Sequence, residues 1–307
     1  MDKLKIFAPA TVANVSCGFD SLGLAIEAVG DTMTFTKTKE KGVKITEITG
    51  AVLTYDIDEN AASAVVKKML QEANADFGVA LTIHKGFSPG SGLGSSAASS
   101  AGAAFGTNQL LGNMYSKLEL TRFAMFGEEV ACGSPIADNV AAAIYGGFVL
   151  IRSYEPLEII KLPVPTELRV VAIHPQVAVK TKDARAVLPK EVLLKDAVTQ
   201  WANVGGLVAG LYTENYDIIG NSLVDIIVEP HRKKLIPFFD EVKQAALENG
   251  ALGAGISGSG PTIFALCKGD AIAEKVYRAI ESTYKKTGIE FHIYNSKIIN
   301  NGVTVSQ

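Results

Sequence analysis

From Gly86 to Ser116 the chain runs for 31 residues without an Asp, Glu, Lys or Arg. That is long enough to cross a bilayer, but 14 of those residues are Gly or Ser, with Asn and Gln besides. A spanning helix is built mainly from large apolar side chains. The stretch is therefore expected to be a glycine loop running into a helix of small residues, from about Ser95 to Leu111. Within the loop, Pro89-Gly90-Ser91-Gly92-Leu93-Gly94-Ser95-Ser96-Ala97 alternates glycine with other residues between an apolar strand (VALTIHK) and the helix. Glycine lets a backbone adopt positive φ and approach a ligand closely. A helix N-terminus adds unpaired N–H groups and partial positive charge. Together they form an anion cradle suited to nucleotide phosphates, with Ser95 and Ser96 able to cap the helix or hold a metal-bound phosphate.

Other phosphate-binding patterns fail. Gly-Lys occurs nowhere, which removes a Walker A loop, and the protein-kinase catalytic-loop signature HRD is absent. Gly253-Ala-Gly255-Ile-Ser-Gly258 matches GxGxxG, but it follows a helical stretch and opens the strand PTIFALC, the reverse of a dinucleotide fold. It is expected to form a second wall of the site.

The rest of the chain reads as mixed strands and helices. LKIFAPA, TMTFTKTK, VKITEI, GGFVLI, LRVVAIHP and EFHIYNSK are expected strands. Residues 60–76, LTRFAMFGEEVA, 191–214, 234–249 and 270–286 are expected helices. Without strict βαβ alternation the class is α+β. The prolines of LPVPTE suggest two domains, 1–165 and 166–307. A 48% hydrophobic content excludes disorder as the main state. Net charge is 29 − 32 = −3 with neither half basic, which argues against a nucleic-acid partner. The opening MDKLKIFAPA predicts no signal peptide at this start. Cys17, Cys132 and Cys267 are scattered, as expected of reduced thiols in the cytoplasm. They and the four histidines make no recognisable zinc spacing, and no membrane association is expected.

Three blocks, APATVANVSCGFDSLGLAI (8–26), PGSGLGSSAA (89–98) and GAGISGSGPTIFAL (253–266), resemble the superfamily of galactokinase, homoserine kinase, mevalonate kinase and phosphomevalonate kinase. Asn14 with Gly18-Phe19-Asp20, SPIADNVAAAIYGGF (134–148), TKDARAVLP (181–189) and EPHRKKLIP (229–237) resemble the homoserine kinases in particular. The resemblance spans nearly the whole chain. It implies ATP-dependent phosphorylation of L-homoserine to O-phospho-L-homoserine, for threonine synthesis. It also implies an N-terminal domain like the second domain of ribosomal protein S5, a ferredoxin-like C-terminal domain with the active site between them, and a homodimer. Another kinase of the superfamily, or a non-catalytic ATP or metabolite sensor, are the alternatives.

By the same resemblance, Asn14 and Asp20 match the ammonium-binding positions, although turn chemistry also explains them. Arg185 and Arg232 match the carboxylate binders, and their forked donors suit a planar carboxylate. Glu128 matches the magnesium ligand, with Ser96 as the hydroxyl ligand. It lies ten residues before Asp138, as the family pattern requires, which decides against its neighbour Glu129. Asp138 and Asn139 fall near the substrate hydroxyl, and Thr181 near the hydroxyl or the transferring phosphate. Asn60 is a candidate adenine contact that a helix cap explains equally well. Many homoserine kinases have His where this chain has Ile136, and Pro where it has Ala142. The reaction is expected to rest on positioning and charge stabilisation, with no dedicated base and late loss of the hydroxyl proton, Asp138 being the only nearby carboxylate that could accept it.

Overall fold

The computed structural model describes residues 2–179 and 181–306. The first half is a seven-stranded sheet, β11-β1-β2-β4-β3, with β5 and β6 branching from the start of β2. Its strands are β1 (Lys3–Ala13), β2 (Leu22–Thr38), β3 (Gly42–Thr49), β4 (Gly78–His84), β5 (Phe148–Tyr154), β6 (Leu157–Leu162) and β11 (Thr304–Ser306). Pairing is antiparallel except between β3 and β4. Helices α1 (Ala61–Glu72), α2 (Ser95–Leu110) and α4 (Asp138–Tyr145) pack on it, and α3 (Lys117–Cys132) packs on those helices.

Helix α2 accounts for the uncharged stretch. Thirteen of its 16 residues are buried, so there is almost no solvent face for a charge to occupy. Its glycines set the packing distance: a Cβ on Gly106 would lie 2.4 Å from the Phe35 ring, and one on Gly102 would lie 2.7 Å from Met33 Sδ. Larger residues would push α2 off β2.

In the second half, β7 (Leu168–Pro175), α9 (Phe239–Glu248), β8 (Gly253–Ile256), β9 (Ile263–Lys268), α10 (Asp270–Lys285) and β10 (Phe291–Lys297) form a βαββαβ unit. Its antiparallel strand order is β10-β7-β9-β8. Helices α5 (Thr181–Ala186), α6 (Leu194–Thr213), α7 (Tyr216–Ser222) and α8 (Glu229–Arg232) are inserted between β7 and α9. The halves are joined by more than one linker. Ser296 Oγ accepts from the N–H groups of Glu27 and Ala28 at 2.9 Å, and β11 pairs with β1. No helix among the described residues is long and apolar enough to cross a membrane.

Several elements depart from expectation: the short α5, α7, α8 and β11 are not among the expected elements, and α9 begins at Phe239, not at 234. β2 begins at Leu22, ten residues before TMTFTKTK, because its first five residues are buried on both faces and show no alternation. α4 and β6 are eight and six residues long, too short for a clear period. Gly253–Ile256 is a strand and not a loop. It pairs with β9, and the turn that walls the site is limited to the residues after it.

Candidate active site

A cleft of about 360 Å³ opens between the halves, lined from the first by Asn14, Lys85, Gly92 and Glu128, and from the second by Arg185, Arg232 and Gly258. The glycine loop is its floor. Gly90, Gly92 and Gly94 have φ of 73°, 81° and 70°, the left-handed region that favours glycine. Gly94, not a serine, is the N-cap of α2, and no side chain caps the helix. The first N–H groups of α2 are thus left for an anion. The loop is stitched to both halves through its carbonyls. Leu93 O accepts from Thr11 N (2.9 Å), Gly92 O from Ser257 Oγ (2.7 Å) and Ser91 O from Thr262 Oγ1 (2.6 Å). Pro89, Gly90, Gly92, Gly94, Ser95 and Ser96 line the cleft. Ser91, Leu93 and Ala97 do not: they are buried behind it, as structural members of the loop and helix.

Asn14 and Asp20 sit on a strained turn between β1 and β2. Asn14, Val15 and Ser16 have consecutive positive φ values of 68°, 41° and 63°, and Asp20 has 53°. Such conformations cost about 1–3 kcal/mol each in non-glycine residues and gather at functional sites. Asn14 holds the turn from within. Its Oδ1 accepts from Asp20 N (3.0 Å), and its Nδ2 donates to Gly258 O (2.8 Å) across the cleft. Arg185 Nη2 donates to both Asp20 oxygens at 3.0 Å. Arg232 is 3% exposed and makes no ion pair among the described residues. It donates to Ala184 O and Gly258 O at 2.9 Å, and its guanidinium stands 4.9 Å from the centre of the Phe19 ring. Burial lowers its pKa to about 10. A buried guanidinium without a carboxylate is a place prepared for an anion.

Asp138 and Asn139 open α4 at the cleft wall, where Thr11 Oγ1 donates to Asn139 Oδ1 at 2.7 Å. Burial, reinforced by the Asp20 charge, pushes the Asp138 carboxyl up to about 7. Glu128 is buried on α3 while Glu129 is exposed. Among the described residues Glu128 Oε1 has no hydrogen-bond partner. Burial raises its pKa to about 7, opposed by the Ser96 hydroxyl and the Lys85 charge. Asn60 lines the cleft, but its side chain is engaged as the N-cap of α1, accepting from Ala62 N and Ser63 N and donating to Thr54 O. Thr181 is the first residue of α5, and its side chain lies outside the described residues.

Sequence reasoning missed Lys85 and Asp31. Both are buried and ion-paired beneath the glycine loop. Lys85 Nζ also donates to Ser95 O (2.8 Å) and Ser99 Oγ (2.9 Å), and Asp31 Oδ1 accepts from Gly86 N (3.2 Å). Burial raises the Asp31 pKa and lowers that of Lys85, and each partner's charge works against the other's shift. The pair ties β2 and the end of β4 to the first turn of α2. The available signal was a lysine standing alone at the border of the uncharged run. Removing one partner of a buried pair costs about 3–5 kcal/mol. Lys85→Met is therefore expected to lower the urea midpoint by that much unfolding free energy, and adding Asp31→Leu to restore much of it. Additive losses in the double variant would show that the two residues are not coupled.

Two family patterns match the chain: "GHMP kinases N terminal domain" over residues 60–147 and "GHMP kinases C terminal" over residues 205–286. A homoserine kinase of Chlorobium phaeobacteroides (strain BS1) is 44% identical over 313 residues, covering 97% of this chain and 98% of that protein. One from Methanococcus vannielii is 43% identical over 278 residues, covering 89% of this chain and 91% of that protein. The crystal structure of homoserine kinase from Cytophaga hutchinsonii superimposes with a TM-score of 0.97 at 49% identity, covering 100% of this chain and 98% of the other. Mevalonate kinase of L. major shares the fold, with a TM-score of 0.74 at 15% identity over 97% of this chain and 98% of the other.

Proposed function

The chain belongs to the homoserine kinase family of the GHMP kinases, and from that premise we propose how its cleft phosphorylates L-homoserine with ATP to give O-phospho-L-homoserine. The observation that carries the substrate is the buried Arg232, unpaired among the described residues, facing the same cleft as Asp20 and Asn14. A zwitterion satisfies both ends. Its carboxylate takes the forks of Arg232 and Arg185, and its ammonium takes the Asp20 carboxylate and the turn around Asn14. The Asp20–Arg185 bond is one that a zwitterion can replace with two. Mevalonate has no ammonium to occupy Asp20.

The glycine loop and the start of α2 bind the phosphates, with the positive Lys85 beneath them. Leu53, Thr54 and Asn60 also line the cleft, and we assign the adenine to them. Asn139, held by Thr11, orients the substrate hydroxyl, and Thr181 is placed by the family resemblance near the same atoms. Asp138, with its carboxyl near neutrality, takes the hydroxyl proton as it is lost. Phosphoryl transfer of this kind is accelerated mainly by positioning and charge stabilisation. The orphaned, buried Glu128 oxygen beside Ser96 fits Mg²⁺, which accepts hard oxygen ligands and keeps several waters. Magnesium supplies charge neutralisation on the phosphates when bound.

The βαββαβ order of residues 168–297 supports a ferredoxin-like C-terminal domain, and we assign residues 1–165 to the S5-like domain. Free Cys17, Cys132 and Cys267 support a reducing, cytoplasmic setting.

A coupled ADP-release assay on homoserine, mevalonate, galactose and serine tests this reading. Homoserine is expected to be the preferred acceptor, with a phosphorylated product by mass spectrometry. Preference for mevalonate or galactose would overturn the substrate. Nucleotide binding with no product from any acceptor would favour a sensor.

A further inference from the structure

Asp20 stands in the left-handed region, with φ of 53°, so the aim of its carboxylate depends on how that one residue is held. Asn14 Oδ1 holds its N–H. Its carbonyl is held from another strand: Tyr154, the last residue of β5, donates its phenol hydroxyl to Asp20 O at 3.0 Å. The same phenol oxygen accepts from Ala137 N at 3.4 Å. Ala137 is the N-cap of α4, the residue before Asp138. One hydroxyl therefore gives its proton to the turn that carries Asp20, and a lone pair to the start of the helix that carries Asp138 and Asn139. Strand β5 is itself fixed to the exit of the turn, where Ile151 N donates to Ser21 O at 2.7 Å and Leu150 pairs with Leu22. Burial, then the Asp138 and Asp20 charges, push the phenol's pKa up, so the group keeps its proton. The ring lines a surface groove behind α4 and does not line the cleft.

We propose that Tyr154 is a positioning residue that selects the acceptor by length, because its hydroxyl fixes the spacing between the residue assigned to the ammonium and those assigned to the reacting hydroxyl. The inference rests on the roles given above to Asp20, Asp138 and Asn139. In homoserine three carbons separate ammonium from hydroxyl. Serine has one fewer, and 2-amino-5-hydroxypentanoic acid one more. A carbon more or less moves the hydroxyl by about 1 Å, and a misplacement of that size can cost roughly 100-fold in rate. Reading such a difference takes a frame whose two ends do not drift apart, and Tyr154 ties those ends from behind. Gln200 tethers the same turn on its other side. Its Nε2 donates to Cys17 O at 2.9 Å and to Asp225 Oδ1 at 3.1 Å. Asp225 in turn accepts from Val228 N and Glu229 N at the start of α8, the helix of Arg232. That tether serves the carboxylate end of the acceptor and not the hydroxyl end.

The experiment takes the intact chain and its Tyr154→Phe variant through steady-state kinetics on homoserine, serine and 2-amino-5-hydroxypentanoic acid. Phenylalanine keeps the ring and removes only the hydroxyl. The kcat for homoserine is expected to fall about 10-fold, the effect of one lost hydrogen bond. KM for ATP should move by less than about twofold, because the nucleotide side of the cleft is untouched. Preference for homoserine over the longer acceptor should fall at least about 10-fold, because a frame that yields accommodates the extra carbon. Gln200→Met is the contrast: it should raise KM for every acceptor by a common factor and leave the length preference as it is. A Tyr154→Phe enzyme that loses the same factor on every acceptor overturns the proposal, since the hydroxyl then only supports the fold. So does a Gln200→Met enzyme that relaxes the length preference as much, since any loosening of the turn would then suffice. A native enzyme that phosphorylates none of the three overturns the substrate reading and this proposal with it. Native preference for homoserine that survives unchanged in Tyr154→Phe overturns this proposal alone.

Discussion

Replacing Arg232 with Met is expected to lower kcat/KM for homoserine by roughly 30- to 4,000-fold. Truncating one partner of a buried charge pair costs ~2–5 kcal/mol, and each 1.4 kcal/mol is tenfold. Methionine keeps much of the apolar stem against Phe19, so the lost guanidinium is the main change. Arg185→Met should cost less, because Arg185 is 34% exposed and already neutralised by Asp20. KM for ATP should move by less than about threefold in both, since uniform loss of site geometry would raise both constants. Homoserine amide gives the sharper contrast. The native enzyme should reject it, and the double variant should barely distinguish it from homoserine. If the native enzyme phosphorylates amide and acid equally well, the arginines do not read a carboxylate.

Gly94→Val should weaken nucleotide binding by about 100-fold or more, equivalent to ~3 kcal/mol. A Cβ on Gly94 would lie 2.2 Å from Thr11 Oγ1 and 2.8 Å from Asn139 Oδ1, breaking the bond that orients Asn139. The φ of 70° is strained for a β-branched residue in addition. Gly90→Ala is the matched control. Its φ is 73°, but nothing lies within 4 Å of the new Cβ, so the penalty is local strain of about 1 kcal/mol. Titration calorimetry on folded variants separates the two. Equal affinities would mean the loop tolerates crowding, and that the cradle is not where the phosphates bind.

What the sequence made legible was local. The glycine loop, α2, the amphipathic α10 and the capped start of α1 each carry their signal within a few adjacent turns. What it hid was long-range or short. Lys85 and Asp31 are separated by 54 residues, and Thr11 and Asn139 by 128. Neither pair leaves a periodic trace, because each is defined only once β2, α2 and α4 have packed. Asn60 shows the converse. Its place beside the cleft is real, yet its amide is used by the first turn of α1, the cap that residue type predicts anyway. Ser91, Leu93 and Ala97 belong to the same glycine motif but do not line the cleft, since a tight loop must spend some residues anchoring itself.

The pairing of β11 with β1 has a consequence in time. Lys5, Ile6 and Phe7 find their partners at Ser306, Val305 and Thr304. Ribosomes add about 5–20 residues per second, so that edge of β1 waits some 15–60 s for its neighbour to be made. During that interval the first strand synthesised presents unpaired N–H and C=O groups, the kind of edge that recruits other chains. The larger sheet begins at the start of translation and is completed only near residue 304.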